Sequence, residues 1–188
     1  MKSSGSLIIL DNFKTYQQTS EYTCGCASLI MMFYYLGGKV LSEKECAEKT
    51  KTDKNHGVPP QNLEKFIEES GFDYESKSKG FTEEDLPSSD IIKFSKYIKE
   101  SLKKKEPILI LSNDYGGHYN IIIGYDDMGT EGYYLDDVII LADPYDETDH
   151  ISDGYIIWGY PKLFAQMEHK VLDMQNSDHY FIKIKRKI

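Results

Sequence analysis

The hydrophobic pattern of the chain changes near residue 105, from the period of helices to the period of strands. Before this point, apolar residues at positions 91, 94, 98 and 102 share one face of a helix. After it, short apolar runs such as 107–111 and 138–142 are typical of strands. Helices followed by strands predict an α+β fold, in which a buried N-terminal helix packs on an antiparallel sheet.

Two of the predicted helices have clear signals at their ends. The segment Thr23–Leu36 is apolar on nearly every side, so we expect it to be buried, and the glycines at 37–38 end it. Ser42 and Glu45 form a capping box that begins a second helix. The other predicted helices are Gln61–Ser70, Ser89–Lys104 and Lys162–Lys170, and Phe72–Pro87 is left without an assignment.

Seven segments have the composition or the alternation that is typical of strands. They are Leu7–Leu10, Pro107–Leu111, Tyr119–Tyr125, Tyr133–Leu135, Val138–Ala142, Tyr155–Trp158 and His179–Lys187. No internal repeat, linker or low-complexity tract separates these elements. A length of 188 residues suits one domain, so we predict a single domain over residues 1–188.

Charge and cysteine content argue against several classes of protein. The chain carries 22 basic and 31 acidic side chains, and its net charge of −9 argues against nucleic acid as a partner. Three cysteines cannot all pair within one chain, which argues against a disulfide scaffold. No apolar run approaches the roughly 20 residues of a membrane helix, and the run at 7–10 is too short for a signal peptide. We therefore expect a soluble, cytoplasmic protein.

Ten acidic residues lie between Asp126 and Asp153, a stretch that contains no Lys or Arg. This stretch is either a solvated loop region or an electrostatic rim that favours cationic ligands. The acidic pairs at 126–127 and 136–137 do not match the spaced pattern of a calcium-binding loop. We expect neither a metal ion nor a cofactor.

Cys24 has the sequence context of an activated nucleophile. It lies at the N-terminus of the predicted buried helix, where unpaired N–H groups and the helix dipole stabilise a thiolate. Gln18 precedes it by six residues and carries a side-chain amide that can donate a hydrogen bond. This amide and the backbone N–H of Cys24 would together form an oxyanion hole.

His118 and Asp143 are the candidates for the base and for the group that orients it. His118 precedes the predicted strand Tyr119–Tyr125, and Asp143 follows the predicted strand Val138–Ala142. If these strands pair antiparallel, the start of one lies beside the end of the other, so the two side chains become neighbours. The carboxylate would then hold the imidazole in the required tautomer. Pro144 turns the chain away from the sheet at this point.

A series of short motifs follows one another along most of the chain. They are Gln18, Cys24-Gly25, Ala27-Ser28, Tyr34-Tyr35-Leu36-Gly37, Gly57–Leu63, Ser70-Gly71-Phe72, Lys105–Ile110, Gly117-His118 and Asp143-Pro144. In this order, they resemble the bacteriocin-processing-peptidase-like branch of the papain superfamily of cysteine peptidases. The resemblance covers about Tyr16 to Trp158 and implies a papain-like fold.

The resemblance also implies a role for each candidate residue. Cys24 would be the nucleophile, His118 the general base and Asp143 the group that orients it. Gln18 would be the oxyanion donor, and Gln17 is the alternative because loop lengths here vary by one residue. The chain carries no transporter domain of the kind attached to leader-processing members, so a bacteriocin leader is not the expected substrate.

The two other cysteines leave more than one interpretation open. Cys26 is either a structural thiol or a resolving thiol that protects Cys24 reversibly. Cys46 lies in a polar predicted helix and is interpreted as structural. A zinc site at residues 24–26 is disfavoured, because Cys-x-Cys lacks the Cys-x2-Cys spacing of structural zinc sites.

We predict a papain-like cysteine hydrolase, in the first place a peptidase that works through a thioester intermediate. Its partner would be a peptide or protein substrate, with a preference for basic peptides if the acidic stretch rims the cleft. One alternative is an acyltransferase or transpeptidase, which would use the same triad to pass the acyl group to another acceptor. A second alternative is a peptide-binding module that has kept the fold without activity.

Overall fold

Helices precede most of the strands along the chain, as the hydrophobic pattern predicts. The computed structural model describes residues 7–39, 41–130, 132–147, 150–168 and 178–185. Within these ranges, no helix is both long enough and apolar enough to cross a membrane. The helices are α1 (Cys24–Tyr35), α2 (Glu43–Thr50), α3 (Pro60–Glu69), α4 (Ile91–Lys103) and α5 (Tyr160–Gln166).

The strands of the described residues form one sheet, in which every pairing is antiparallel. They are β1 (Ile8–Ile9), β2 (Tyr74–Ser76), β3 (Ile108–Ser112), β4 (His118–Asp126), β5 (Val138–Ala142), β6 (Tyr155–Gly159) and β7 (Phe181–Ile184). The order across the sheet is β2-β7-β3-β4-β5-β6, and β1 pairs with the last part of β4. The predicted combination of helices with an antiparallel sheet is confirmed.

Strand β4 lies between β3 and β5 and determines what stands at one edge of the sheet. Ser112, the last residue of β3, is opposite His118, the first residue of β4. On the other side, Ala142 at the end of β5 is opposite Ile121. The end of β3, the start of β4 and the end of β5 therefore meet at the same edge.

Helix α1 is buried, as predicted, and packs on β4. Ten of its 12 residues are buried, and the hydroxyl of Ser28 donates to the backbone carbonyl of Tyr119 at 3.3 Å. A Cβ at Gly25 would lie 2.3 Å from Cγ1 of Val58 and 3.1 Å from the Tyr119 ring. The absence of a side chain at Gly25 therefore lets the first turn of α1 approach the sheet.

Helix N-termini follow the capping signals in the sequence. The capping box of Ser42 and Glu45 is confirmed, with the Ser42 hydroxyl accepting from Glu45 N at 3.3 Å. Helix α4 begins later than predicted because Asp90 is its N-cap, and the Asp90 carboxylate accepts from the N–H groups of Ile92 and Lys93.

Some predicted helices and strands differ from the structure, and some predicted residues lie outside the described ranges. Residues 133–135 do not form a strand, because the N–H of Tyr133 bonds to the carbonyl of Thr130 in a turn. The segment 72–87 contains β2, whose polar residues hid it from the pattern. Helix α5 begins two residues before its predicted start, and the predicted residues 169–170 and 186–187 lie outside the described residues.

Candidate active site

Cys24 is the first residue of α1, and only 7% of it is exposed. The N-cap residue Thr23 does not cap the helix with its side chain, since its hydroxyl donates to the carboxylate of Glu43 and lies 3.0 Å from the carbonyl oxygen of Ser20. The N–H groups of the first turn of α1 have no intrahelical acceptor. The sulfur therefore lies at the positive end of a helix, an environment that stabilises a thiolate.

His118 and Asp143 are in direct contact at the edge of the sheet. The Nε2 atom of His118 lies 2.6 Å from Oδ1 of Asp143, and the two residues are only 3% and 4% exposed. The contact arises from the antiparallel pairing of β4 with β5, which places the residue after β5 beside the start of β4. The sequence-based expectation that these two side chains are neighbours therefore agrees with the structure.

Cys24 lines the same cavity as His118, and its thiol is one of the groups that raise the pKa of the His118 ring. Because Asp143 occupies Nε2, the other ring nitrogen is left for the thiol. Burial lowers the pKa of His118, but the hydrogen bonds with Asp143 and Cys24 outweigh this effect and raise it to about 9. A protonated imidazole beside a cysteine is a general means of favouring the nucleophilic thiolate.

Asp143 is fixed by hydrogen bonds on both its side chain and its backbone. Its Oδ1 atom also accepts from the N–H of Tyr145 at 2.8 Å, and its own N–H donates to the carbonyl of Gly154 at 2.9 Å. Its carbonyl accepts from Nε2 of Gln17 at 3.0 Å. The carboxylate is therefore held in one orientation before any substrate binds.

The two candidate glutamines have different surroundings. The amide of Gln17 is bound at both ends by the loop after β5, since Oε1 also accepts from the N–H of Asp146 at 3.1 Å. Gln18 instead lines the cavity that contains Cys24. Its Nε2 donates to the carbonyl of Ser20 at 2.8 Å, which leaves the second N–H of this amide for another acceptor. Of the two, Gln18 is the one placed to reach a group bound at the sulfur.

Cys24 lies between two lobes of one cleft. The smaller lobe, of about 250 Å³, includes the backbone of Gly116 and Gly117 and the side chains of Val58, Leu111 and Tyr119. The larger lobe, of about 560 Å³, is lined by Gln18, Glu21, Tyr22, Lys54, Tyr115, His118 and Tyr145. Cys24 therefore contributes to the wall of both lobes.

The ring of Tyr115 makes a T-shaped contact with the ring of His118, a feature that the sequence did not reveal. The two ring centroids lie 5.6 Å apart, and the ring of Tyr145 lies 5.3 Å from that of Tyr115. Tyr115 has a backbone φ of 53°, which is unusual for a residue with a large side chain. The Gly116-Gly117 pair signals the tight turn, but nothing in that signal identifies the aromatic ring.

The acidic stretch does not rim the cleft as a whole, which corrects the electrostatic interpretation of the sequence. Asp126 ends the nine-residue strand that His118 begins, so they are roughly 26 Å apart at about 3.3 Å per residue. The acids at 136–137 lie at that far end too, because β5 begins opposite Asp126. Glu21 and Glu147 are nearer the larger lobe, where both raise the pKa of the tyrosine at position 145.

The two other cysteines are free thiols that lie next to each other and line neither lobe of the cleft, with Sγ of Cys46 4.0 Å from the carbonyl oxygen of Cys26. The Cys26 sulfur lies 3.5 Å from Oγ1 of Thr50 and 3.3 Å from Oγ1 of Thr52. A hydrogen bond with the thiol of Cys46 lowers the pKa of Cys26. These contacts favour the structural interpretation of both thiols. No cluster of three or more His, Cys, Asp or Glu side chains suited to a metal ion occurs among the described residues.

Comparison with known proteins places this geometry in context. A model of the Peptidase_C39 like family matches residues 10–169, which contain all four candidate residues. A search of the curated proteins finds no match to the chain.

Several solved structures share the fold. A C39-like peptidase of Bacillus anthracis is 14% identical, with a TM-score of 0.66 over 96% of this chain and 98% of the other. The peptidase domain of Streptococcus ComA, a bifunctional ABC transporter of a quorum-sensing pathway, is 14% identical, with a TM-score of 0.61 over 94% and 100%. A double glycine motif protease from an AMS/PCAT transporter, solved with its leader peptide, is 12% identical, with a TM-score of 0.55 over 95% and 98%. These matches confirm the predicted papain-like fold.

Proposed function

Because the chain belongs to the Peptidase_C39 like family, we propose that it is a cysteine peptidase with Cys24, His118 and Asp143 as its catalytic triad. The observation that carries the proposal is the position of the His118 ring. Nε2 of this ring lies 2.6 Å from Oδ1 of Asp143, and the ring lines the same cavity as the thiol of Cys24, which is one of the groups that raise its pKa. These are the contacts that a general base needs with its orienting group and its nucleophile.

In the proposed reaction, the Cys24 thiolate attacks the carbonyl carbon of the scissile peptide bond. The carbonyl oxygen becomes an oxyanion, which accepts hydrogen bonds from the backbone N–H of Cys24 and from the second N–H of the Gln18 amide. The protonated His118 gives its proton to the leaving amine as the C–N bond breaks. The acyl group is then held on Cys24 as a thioester.

The second half of the reaction restores the enzyme. His118, now neutral, takes a proton from water, and the resulting hydroxide attacks the thioester carbonyl. The C–S bond breaks and the carboxylic acid leaves. The protonated His118 then forms an ion pair with the Cys24 thiolate again. Asp143 stabilises the imidazolium in both halves without itself being protonated.

We propose a peptide or protein as the substrate, bound in an extended conformation across the two lobes. The AMS/PCAT protease was solved in complex with a leader peptide, and its similarity to this chain supports a peptide ligand. A preference for basic side chains would come from Glu21 and Glu147 beside the larger lobe, because the acids at 126–127 and 136–137 lie at the far end of β4.

Peptide hydrolysis is the first measurement. Incubation of the purified chain with a mixture of unmodified peptides, followed by mass spectrometry, is expected to give new termini that carry one added water. Iodoacetamide should stop this activity, because it alkylates the thiolate, whereas a fluorophosphonate should leave it unchanged.

Two other outcomes would contradict hydrolysis. Added amines or thiols that appear on the products would assign the chain to acyl transfer, since the thioester would then pass to an acceptor other than water. If peptides bind but remain uncleaved, with or without added amines or thiols, the chain would be a peptide-binding module without activity.

Gln18→Ala is expected to lower kcat for peptide hydrolysis by about 10²- to 10³-fold, the usual loss for one oxyanion donor. The rate at which iodoacetamide alkylates Cys24 should stay within about twofold, because that reaction forms no oxyanion. Steady-state kinetics and timed alkylation give the two values.

Gln17→Ala is the matched comparison for this prediction. Its amide bonds to the backbone of the loop after β5, so we expect a change in thermal stability and a smaller loss of kcat. A larger loss in Gln17→Ala than in Gln18→Ala would reverse the assignment of the oxyanion donor.

A further inference from the structure

Glu43 is a buried carboxylate at the start of α2, and only 6% of it is exposed. No basic side chain in the described part of the chain forms an ion pair with it. A buried charge of this kind is tolerated only where hydrogen bonds replace the lost water. The groups that donate hydrogen bonds to the Glu43 carboxylate therefore show which segment it fixes in place.

All of the donors to Glu43 come from one segment, residues 16–23, which we call the nucleophile loop. The N–H of Thr19 lies 3.0 and 3.1 Å from the two carboxylate oxygens, and its hydroxyl lies 3.0 Å from Oε1. The hydroxyl of Tyr16 donates to Oε2 at 3.0 Å, and the hydroxyl of Thr23 donates to Oε1. Glu43 thus binds the loop at its start, middle and end.

The nucleophile loop carries the proposed oxyanion groups. Gln18 immediately precedes Thr19, and Thr23 immediately precedes Cys24, so two of the anchored residues adjoin the two oxyanion donors. The opposite side of the loop is held by the N–H of Gln18, which donates to the carbonyl of Pro144 at 2.8 Å. The loop is therefore fixed between α2 and the segment that follows Asp143.

The carboxylate also affects the free end of α1. A threonine at an N-cap usually accepts a hydrogen bond from the first turn of its helix. Thr23 makes no such bond, and its hydroxyl is directed to Glu43 and to the carbonyl of Ser20. This orientation keeps a side-chain acceptor away from the N–H groups at the start of the helix.

We propose that Glu43 is a positioning residue of the oxyanion hole, an inference that rests on the proposed function. It does not line either lobe of the cleft but faces a separate apolar cavity of about 450 Å³ with Ile30, Met31 and Tyr34. Glu43 therefore acts through the nucleophile loop, and it holds Gln18 and the backbone N–H of Cys24 where a developing oxyanion needs them.

The charge on Glu43 is the property to test, because a carboxylate accepts at both oxygens whereas an amide brings N–H donors against the same loop. Glu43→Gln keeps the volume of the side chain and is compared with Glu48→Gln, an exposed position on the same helix. We expect Glu43→Gln to lower kcat about 10- to 100-fold. It should weaken the binding of a peptide aldehyde by a similar factor, because the aldehyde adds to Cys24 and its oxygen then occupies the oxyanion hole. KM and the rate of Cys24 alkylation should stay within about twofold, and Glu48→Gln should match the wild type.

Amide hydrogen exchange gives a readout that needs no substrate. Exchange across residues 16–23 should become at least about tenfold faster in Glu43→Gln, with no change in β4 or β5. If Glu43→Gln does not fold, Tyr16→Phe removes one donor and should weaken aldehyde binding about two- to fivefold without changing alkylation.

Four outcomes decide the proposal. A fall in kcat and aldehyde affinity with unchanged alkylation supports a positioning role. Unchanged kcat, or an equal loss of kcat, alkylation rate and melting temperature, overturns it. If the wild type cleaves no peptide, the proposed function fails, and the exchange rates alone then show whether Glu43 holds the loop. Unchanged exchange overturns the inference in either case.

Discussion

Cys24→Ala is expected to reduce peptide hydrolysis by about 10⁴- to 10⁶-fold, the loss that accompanies removal of a catalytic nucleophile. Alanine removes the sulfur at the end of α1 without adding volume, so the fold and the melting temperature should change little. Product formation from a defined peptide, followed by mass spectrometry over hours, has the range to measure so large a loss.

Cys46→Ser is the matched control for this variant, because it removes another buried thiol from the neighbouring helix. It should retain most of the activity. If Cys24→Ala remains active, the nucleophile lies elsewhere.

The rate of alkylation checks the same residue without a substrate. In the native protein, Cys24 should react with iodoacetamide faster than a thiol in the denatured chain, because His118 and the helix end favour its thiolate. A native rate that does not exceed the denatured rate would contradict the activation of this sulfur.

Asp143→Asn is expected to lower kcat by about 10³- to 10⁴-fold, because an amide can hold the ring of His118 in the wrong tautomer and does not stabilise its charge. The loss should appear in kcat more than in KM, since Asp143 contacts the histidine and lines neither lobe of the cleft. Asp136→Asn is the control, because it changes an exposed acid that precedes the first residue of β5, far from the site. It should leave kcat unchanged.

The same variant tests the pKa of His118, which is raised from 6.5 to about 9. A pKa that is higher in the folded state stabilises the fold fully below pH 6.5, and this contribution is lost as the pH rises through 9. The difference in unfolding free energy between wild type and Asp143→Asn should therefore be large near pH 6 and should shrink by pH 10. Denaturant melts at several pH values measure it, and a constant difference would contradict the elevated pKa.

The sequence was sufficient where a pattern repeats or a pairing follows from topology. The apolar character of Thr23–Leu36 predicted a buried helix, because only a buried helix can be apolar on nearly every side. The contact of His118 with Asp143 followed from one assumption, that the predicted strands Tyr119–Tyr125 and Val138–Ala142 pair antiparallel. That assumption requires no knowledge of side-chain packing.

The sequence was insufficient where a loop or a distance decides the outcome. Gln17 and Gln18 differ by one residue in a loop, and only the contacts of that loop separate them. The acidic stretch is continuous in sequence, yet a nine-residue strand separates its two ends in space. Glu43 belongs to a capping segment, and its buried role depends on a loop 20 to 27 residues away in sequence.

The distribution of the triad along the chain has a consequence during protein synthesis. Cys24 belongs to the first helix, whereas His118 begins β4 and Asp143 follows β5, so both are translated about 90 residues later or more. A nascent chain on the ribosome therefore displays the thiol long before the base and its carboxylate exist, and until then it lacks the imidazolium that favours the thiolate. If these three residues act as proposed, the site is therefore complete only after β4 and β5 have been made and have paired.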